Sequence, residues 1–243
     1  MGTAGAHHPR PTLGRNGTKQ KVSLIVPTIN GLAPHKTTRR LLQEAKAHGL
    51  VTVVGVDSRT TDGTAHELAH LIDTLVPIDN TTCYCEERMN EIVDAVQTPW
   101  VFWVCDDELP SAQLWAVAET VYRSGPHIFR PNIVSPLPDW KGVYTPLVTY
   151  QPRLFKLDTV RWVPGGLDRL PIRTLPEVDI PEVLWHFNLW ATRKSREEKT
   201  AAHEAAWLAA WQYHPWPAGS RRAYLFEDYP NDTQPIDPWR KYL

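Results

Sequence analysis

Three carboxylates in succession, Asp106, Asp107 and Glu108, follow the apolar run VFWV at 101–104 and Cys105. Clustered carboxylates repel one another and resist desolvation, so a strand end tolerates them where water, a hydrogen-bond donor or a cation meets them. A hard divalent cation takes oxygen ligands, and one or two carboxylates completed by substrate phosphates satisfy it. Two earlier apolar runs also end in polar groups: VPTIN brings Pro27, Thr28 and Asn30, and VDSRTTDGT brings Asp57, Ser58 and Asp62. A carboxylate such as Asp57 can accept an imide or amide N–H from a nucleobase, or it can cap its own turn.

The elements that must position these groups alternate. KVSLIVP (21–27), VTVVGVD (51–57) and WVFWVC (100–105) read as buried strands. The stretches 37–48, 61–75, 87–96 and 111–123 carry helical spacing, with Gly49 placed to end the first. Such alternation builds βαβ units, and the fold class expected is α/β, with a mostly parallel, Rossmann-like sheet and helices on both faces. In an open sheet of this kind ligands bind beyond the carboxyl ends of the strands, so the three polar strand ends converge on one rim.

After residue 125 short proline-punctuated strands (142–150, 152–157 and 159–163) predict a small antiparallel addition. A helix over 195–214 places His203, Trp207 and Trp211 on one face. The expected organisation is a disordered tail over 1–20, a domain over 21–194, and over 195–243 a C-terminal helix and an extended Pro/aromatic tail packed on that domain.

Composition narrows the partners. A net charge of −1 gives no global attraction to nucleic acid or anionic lipid. Three cysteines, an odd number, argue against a disulfide scaffold and for a reducing compartment. Cys83 and Cys85 form a Cys-x-Cys pair, but no second pair with zinc-site spacing follows. No run approaches the roughly 18 apolar residues of a membrane span, and the first twenty residues lack the apolar core of a secretory signal. The expected location is cytoplasmic, with no membrane partner, and self-association is compatible with the sequence.

The order VSLIVPTIN, VVGVDSRTTDGT and RMNEIVDAVQTPWVFWVCDDELP resembles that of family-2 glycosyltransferases of the GT-A fold, over roughly residues 21–187. The resemblance implies metal-dependent transfer of a sugar from a nucleotide-sugar donor, a UDP-sugar foremost, to an acceptor hydroxyl with inversion. The cofactor implied is Mn²⁺ or Mg²⁺. Asp107 falls at the second aspartate of the family motif as a metal ligand, and His186 matches a late histidine that completes the coordination. Asp106 would face the donor sugar or ribose, while Cys105 stands where the family has its first motif aspartate. Pro27, Thr28, Asn30 and Asp57 would seat the nucleotide, and Arg153, Arg193 and Lys194 would meet the diphosphate. YQPRLFKLDTVRWVPGGLDRLP is similar to the family's acceptor-side strand and turn, which makes Asp168 the candidate base, although the usual His-Glu pair reads Asp168-Arg169. Glu108 would cap the helix after Pro110, and Asp62-Gly63-Thr64 would shape a turn.

Two other readings stand beside this one. A nucleotidyltransferase would carry a Gly-rich basic phosphate loop after the first strand, where PTINGLAPHK supplies one glycine and one lysine. A non-catalytic nucleotide- or glycan-binding protein is prompted by Cys105 and the altered Asp168-Arg169 pair. For the acceptor, a glycan, a protein side chain and a modified nucleobase all stay open. Trp140, Trp162, Trp185 and Trp190 lie near the expected acceptor side, where indoles stack on sugars or bases.

Overall fold

The computed structural model describes residues 20–81, 85–125, 127–144, 151–162, 172–187, 190–191 and 233–242, together with Lys194, Glu198 and Ala201. The first strand, Val22–Thr28 (β1), is buried along its whole length. Its side chains divide by the two-residue period: Leu24 and Val26 enter one core cluster and Ile25 the other. A strand apolar on both faces belongs inside a sheet covered on both sides.

β1 pairs in parallel with Val51–Asp57 (β2) on one side and with Trp100–Trp103 (β4) on the other, and β2 carries Thr74–Ile78 (β3) in parallel at the edge. Thr38–Ala47 (α1) and Ala112–Thr120 (α4) cover one face through Leu41, Leu42, Leu114 and Trp115. Met89–Asp94 (α3) covers the other through Met89, Ile92 and Val93. Gly55 in β2 lets α3 sit close, since a Cβ there would come within 2.3 Å of Ile92 Cδ1. The molecule is thus a mixed α/β fold with a mostly parallel central sheet flanked by helices, as the alternation predicts.

Beyond β4 the sheet changes character. Leu154–Lys156 (β8) runs antiparallel to β4 and to Ile128–Pro136 (β6), and β6 carries Gly142–Tyr144 (β7) and then Thr233–Pro235 (β12) in the same antiparallel sense. Glu177–His186 (β11) runs parallel to β6, with a register shift between Ile180 and Val183, and pairs antiparallel with Glu108–Pro110 (β5). Val160–Arg161 (β9) and Ile172–Arg173 (β10) form a separate two-stranded sheet.

Two expectations need correction. The helix expected over 61–75 is only Thr64–Glu67 (α2) and a 3-10 turn at Ala69–Leu71, after which β3 begins. Asp73 explains the break: its carboxylate accepts the Thr52 N–H at 2.8 Å and its own N–H donates to the Thr52 carbonyl at 3.0 Å, so the chain is drawn into edge pairing. The addition beyond β4 is larger than expected and mixed, because β6 and β11, the longest strands described, run parallel to each other. Both contain prolines, which masked them. The tail expected over 1–20 and most of the region 195–243, including His203, Trp207 and Trp211, lie outside the described residues, as does Cys83. No helix among the described residues is long and apolar enough to cross a membrane.

Candidate functional site

The chain leaves β1 toward β2 on one side and returns as β4 on the other, so strand order reverses between β1 and β4. The crevice outside their carboxyl ends is where open α/β sheets hold ligands. Asp106 closes it. Its Oδ2 accepts the Thr28 hydroxyl at 2.8 Å and the Ile29 N–H at 3.4 Å, and its Oδ1 takes Lys36 Nζ at 2.6 Å. The Asp106 carbonyl also accepts the Thr37 N–H at 2.8 Å. Asp106 therefore ties the β1–α1 loop to the end of β4. Gly31 makes room for this closure, because a Cβ there would meet Thr28 Oγ1 at 2.7 Å and Thr38 Oγ1 at 2.9 Å.

Asp107, the next residue, faces His186. Antiparallel pairing places His186 opposite Glu108, and the Phe187 N–H donates to the Asp107 carbonyl at 2.7 Å, so β11 carries the imidazole to the rim. His186 Nε2 lies 3.5 Å from Asp107 Oδ2, with the Asp107 side chain 7% exposed and that of His186 26%. Among the described residues no third His, Cys, Asp or Glu joins them. One carboxylate oxygen and one imidazole nitrogen side by side would suit Mn²⁺ better than Mg²⁺, which takes oxygen ligands, and either ion would depend on further oxygens from a ligand.

Glu108 turns the opposite way, into the protein. It is 1% exposed, its Oε2 accepts the Cys105 N–H at 2.8 Å, and its Oε1 pairs with Arg153 Nη2 at 2.6 Å. The Arg153 guanidinium lies 4.1 Å over the Trp103 ring and 3.8 Å from Cys105 Sγ. Two expectations fall here. Arg153 is 2% exposed, its charge spent on Glu108 rather than presented to a diphosphate. Glu108 does not cap the helix: Ser111 does, its hydroxyl accepting the Leu114 N–H at 3.2 Å.

At the end of β2 the Asp57 carboxylate is enclosed by donors. Oδ1 accepts the Arg59 N–H at 2.9 Å and Nε–H at 2.7 Å, while Oδ2 accepts Arg59 Nη2 and Asn80 Nδ2 at 2.7 and 2.8 Å. Burial works to raise its pKa, but the bonds from Arg59 and Asn80 outweigh it and hold the carboxyl below the ordinary aspartate range. With these four bonds Asp57 organises the rim instead of presenting an open acceptor. Asn30, at φ 51°, turns its Oδ1 onto the Thr61 N–H at 2.8 Å and so joins the first two loops, a left-handed conformation that asparagine tolerates. Asp62 shapes the turn as expected, accepting the Leu32 N–H at 2.7 Å and the Thr64 N–H and hydroxyl. Pro27 lies buried within β1 opposite Gly55.

No family model and no curated protein sequence matches the chain. Solved structures do. S. aureus TarS residues 1–349 superposes with a TM-score of 0.45 at 12% identity, over 85% of this chain and 69% of that one. The same TarS fragment in complex with UDP gives 0.48 at 13%, covering 85% and 70%. A mycobacterial protein gives 0.49 at 14%, covering 82% and 77%. What the rim can do is read from this chain's own residues.

Of the remaining expected site residues, Asp168 and Arg193 lie outside the described residues. Lys194 is exposed, with Glu198 one turn away at 3.8 Å, a solvated pair. Trp162 is core, edge-on to Trp103 at 5.2 Å, whereas Trp140 meets Trp185, Phe187 and Trp190 in one aromatic cluster. Sequence reasoning missed Lys36, Arg59 and Asn80 as rim residues. Arg59 was within reach of the VDSRTTDGT motif. Asn80 follows β3, a strand hidden by Pro77.

Proposed function

We propose that this protein is a metal-dependent glycosyltransferase, moving a sugar from a nucleotide diphosphate sugar, a UDP-sugar, to an acceptor hydroxyl. The observation that carries the reading is the meeting of Asp107 and His186 at the point where strand order reverses. Mn²⁺ or Mg²⁺ held by Asp107 and His186 would neutralise the departing diphosphate as a Lewis acid. The donor's own phosphate oxygens would fill positions that Asp107 and His186 do not take.

The chain's residues divide the rest of the work. Thr28, Asp106 and Lys36 fix the floor beneath the donor. The Asp57 cluster sets Arg59 and Asn80 at the base end. Transfer with inversion needs a base that takes the acceptor proton as the new bond forms between acceptor oxygen and anomeric carbon and the bond to the diphosphate oxygen breaks. Asp168 is assigned that role.

Radiolabelled transfer from a panel of nucleotide sugars, in Mn²⁺ and in chelator, tests the proposal. Activity that needs both metal and Asp107 supports it. Full activity in Asp107→Ala overturns it. Metal-dependent nucleotide binding with no turnover of any donor, either to acceptor or to water, would favour the binding-protein reading that Cys105 prompts.

A further inference from the structure

Beside the rim a cavity of about 560 Å³ opens between α1, the start of α4 and the end of β11. That volume lies within the ~300–1,000 Å³ of small-molecule sites. It shares three residues with the framework of the rim. Lys36 and Thr37 line it while holding Asp106, and Phe187 lines it while its N–H holds the Asp107 carbonyl. A ligand in this cavity is thus one residue removed from His186.

The walls state which ligand. Trp140 and Trp190 stand edge-to-face at 5.5 Å, and Trp190 keeps 38% of its surface in solvent although its Nε1 donates to the Pro136 carbonyl. An indole whose polar atom is already spent presents only ring surface. The polar groups along the opposite wall already have partners. Arg40 Nε and Trp115 Nε1 both donate to Glu44, at 2.7 and 2.8 Å, and His48 Nδ1 lies 2.6 Å from Glu119. These pairs offset the charges of Arg40 and Lys36 with those of Glu44 and Asp106, so the wall holds no strong attraction for an ionic ligand. A neutral polyhydroxylated ring breaks none: its hydroxyls add to pairs already made, and its polarised C–H face meets the negative face of an indole.

We infer that this cavity binds a pyranose ring of a neutral glycan acceptor, with Trp190 as the stacking surface. This rests on the glycosyltransferase reading and names the acceptor class for it. It also selects the glycan from among glycan, protein side chain and modified nucleobase.

The test is saturation-transfer NMR and calorimetry with neutral methyl glycosides and di- to tetrasaccharides of glucose, galactose and N-acetylglucosamine, without donor or metal. Their sugar phosphates serve as the ionic comparison. The expected result is saturable binding of a neutral glycoside, weakened on the order of 10-fold in Trp190→Ala and retained in Trp190→Phe. Binding of none of them, equal binding by Trp190→Ala, or binding of the phosphorylated sugars alone would overturn the inference. A parallel titration with UDP and Mn²⁺ separates the two claims. Glycoside binding without nucleotide binding would fell the donor reading and leave this site standing, and the converse would fell this site alone.

Discussion

Asp107 and His186 lie far apart in sequence, yet Asp107 Oδ2 and His186 Nε2 stand 3.5 Å from each other because β11 pairs antiparallel with β5 in the register that sets His186 opposite Glu108. The neighbouring acids were given different work by the same turn. Asp106 is bonded to the β1 loop, Glu108 is buried on Arg153, and Asp107 alone of the three meets an imidazole at the rim. Three successive carboxylates are tolerated because each has its own partner.

If His186 is a ligand, replacing it should act on metal affinity rather than on folding, since its side chain is 26% exposed. His186→Ala is expected to weaken Mn²⁺ binding in the presence of UDP by at least the ~10–100-fold that loss of an outer-shell partner costs a metal site. Calorimetric titration of Mn²⁺ into the UDP-saturated protein checks this. Unchanged affinity would remove His186 from the site.

The Glu108–Arg153 pair is a stability element. With both side chains at most 3% exposed, removing one partner strands a charge in the core. Glu108→Ala and Arg153→Ala should each cost about 3–5 kcal/mol. The double variant Glu108→Gln/Arg153→Met should cost clearly less than the sum of the two alanine losses, because it strands no charge. Urea unfolding measures all of these, and additive losses would show that the pair does not act as a unit.

Acid should loosen the loops at the ends of β1 and β2. Asp57 and Asp62 are both held below the ordinary aspartate range: burial opposes this, but Arg59 and Asn80 outweigh it at Asp57, and Thr64 and Leu32 at Asp62. Below about pH 4 the unfolded chain binds protons that the folded chain refuses. The stability these groups contribute is therefore complete above about pH 4 and is lost as pH falls through their lower folded-state values. The urea midpoint of wild type should fall between pH 5 and pH 3 more steeply than that of Asp57→Asn, which should start lower at pH 5. Parallel curves would contradict the assignment.

Gly55 sets the spacing between β2 and α3. Gly55→Ala would press its methyl on Ile92, whose Cδ1 and Cγ1 lie 2.3 and 2.7 Å from the position of the added carbon. Overpacking of this kind costs typically ~1–3 kcal/mol. Ile92→Val removes the nearer atom, so the double variant should recover part of the loss. A double-mutant cycle with no coupling would place the strain elsewhere.

The parallel half of the fold was legible because its strands are apolar on both faces and its helices carry clear spacing. Ile25 and Val26 point into different cores, and both are apolar for that reason. Segments governed by distant partners were not. β3 goes unseen in the sequence, its first two residues falling in the helix expected over 61–75, because Pro77 and the exposed Leu75 weaken its strand pattern, and only Asp73's bonds to Thr52 reveal the pairing. At the site, residue type and strand-end position marked Asp106, Asp107 and Asp57, and the family resemblance marked His186. The sequence could not say which carboxylate would face inward. That choice depends on Arg153 and Lys36, which reach the cluster only through the tertiary fold.

The central claim is that Asp107 couples a metal ion to a nucleotide diphosphate. Thermal unfolding of wild type and Asp107→Ala, against UDP with and without Mn²⁺, tests it most directly, because a ligand of the native state raises stability by mass action. The account predicts a rise in Tm for wild type with UDP and Mn²⁺ together, a smaller one with either alone, and no joint effect in Asp107→Ala. An equal joint rise in both proteins, or none in wild type, would contradict it.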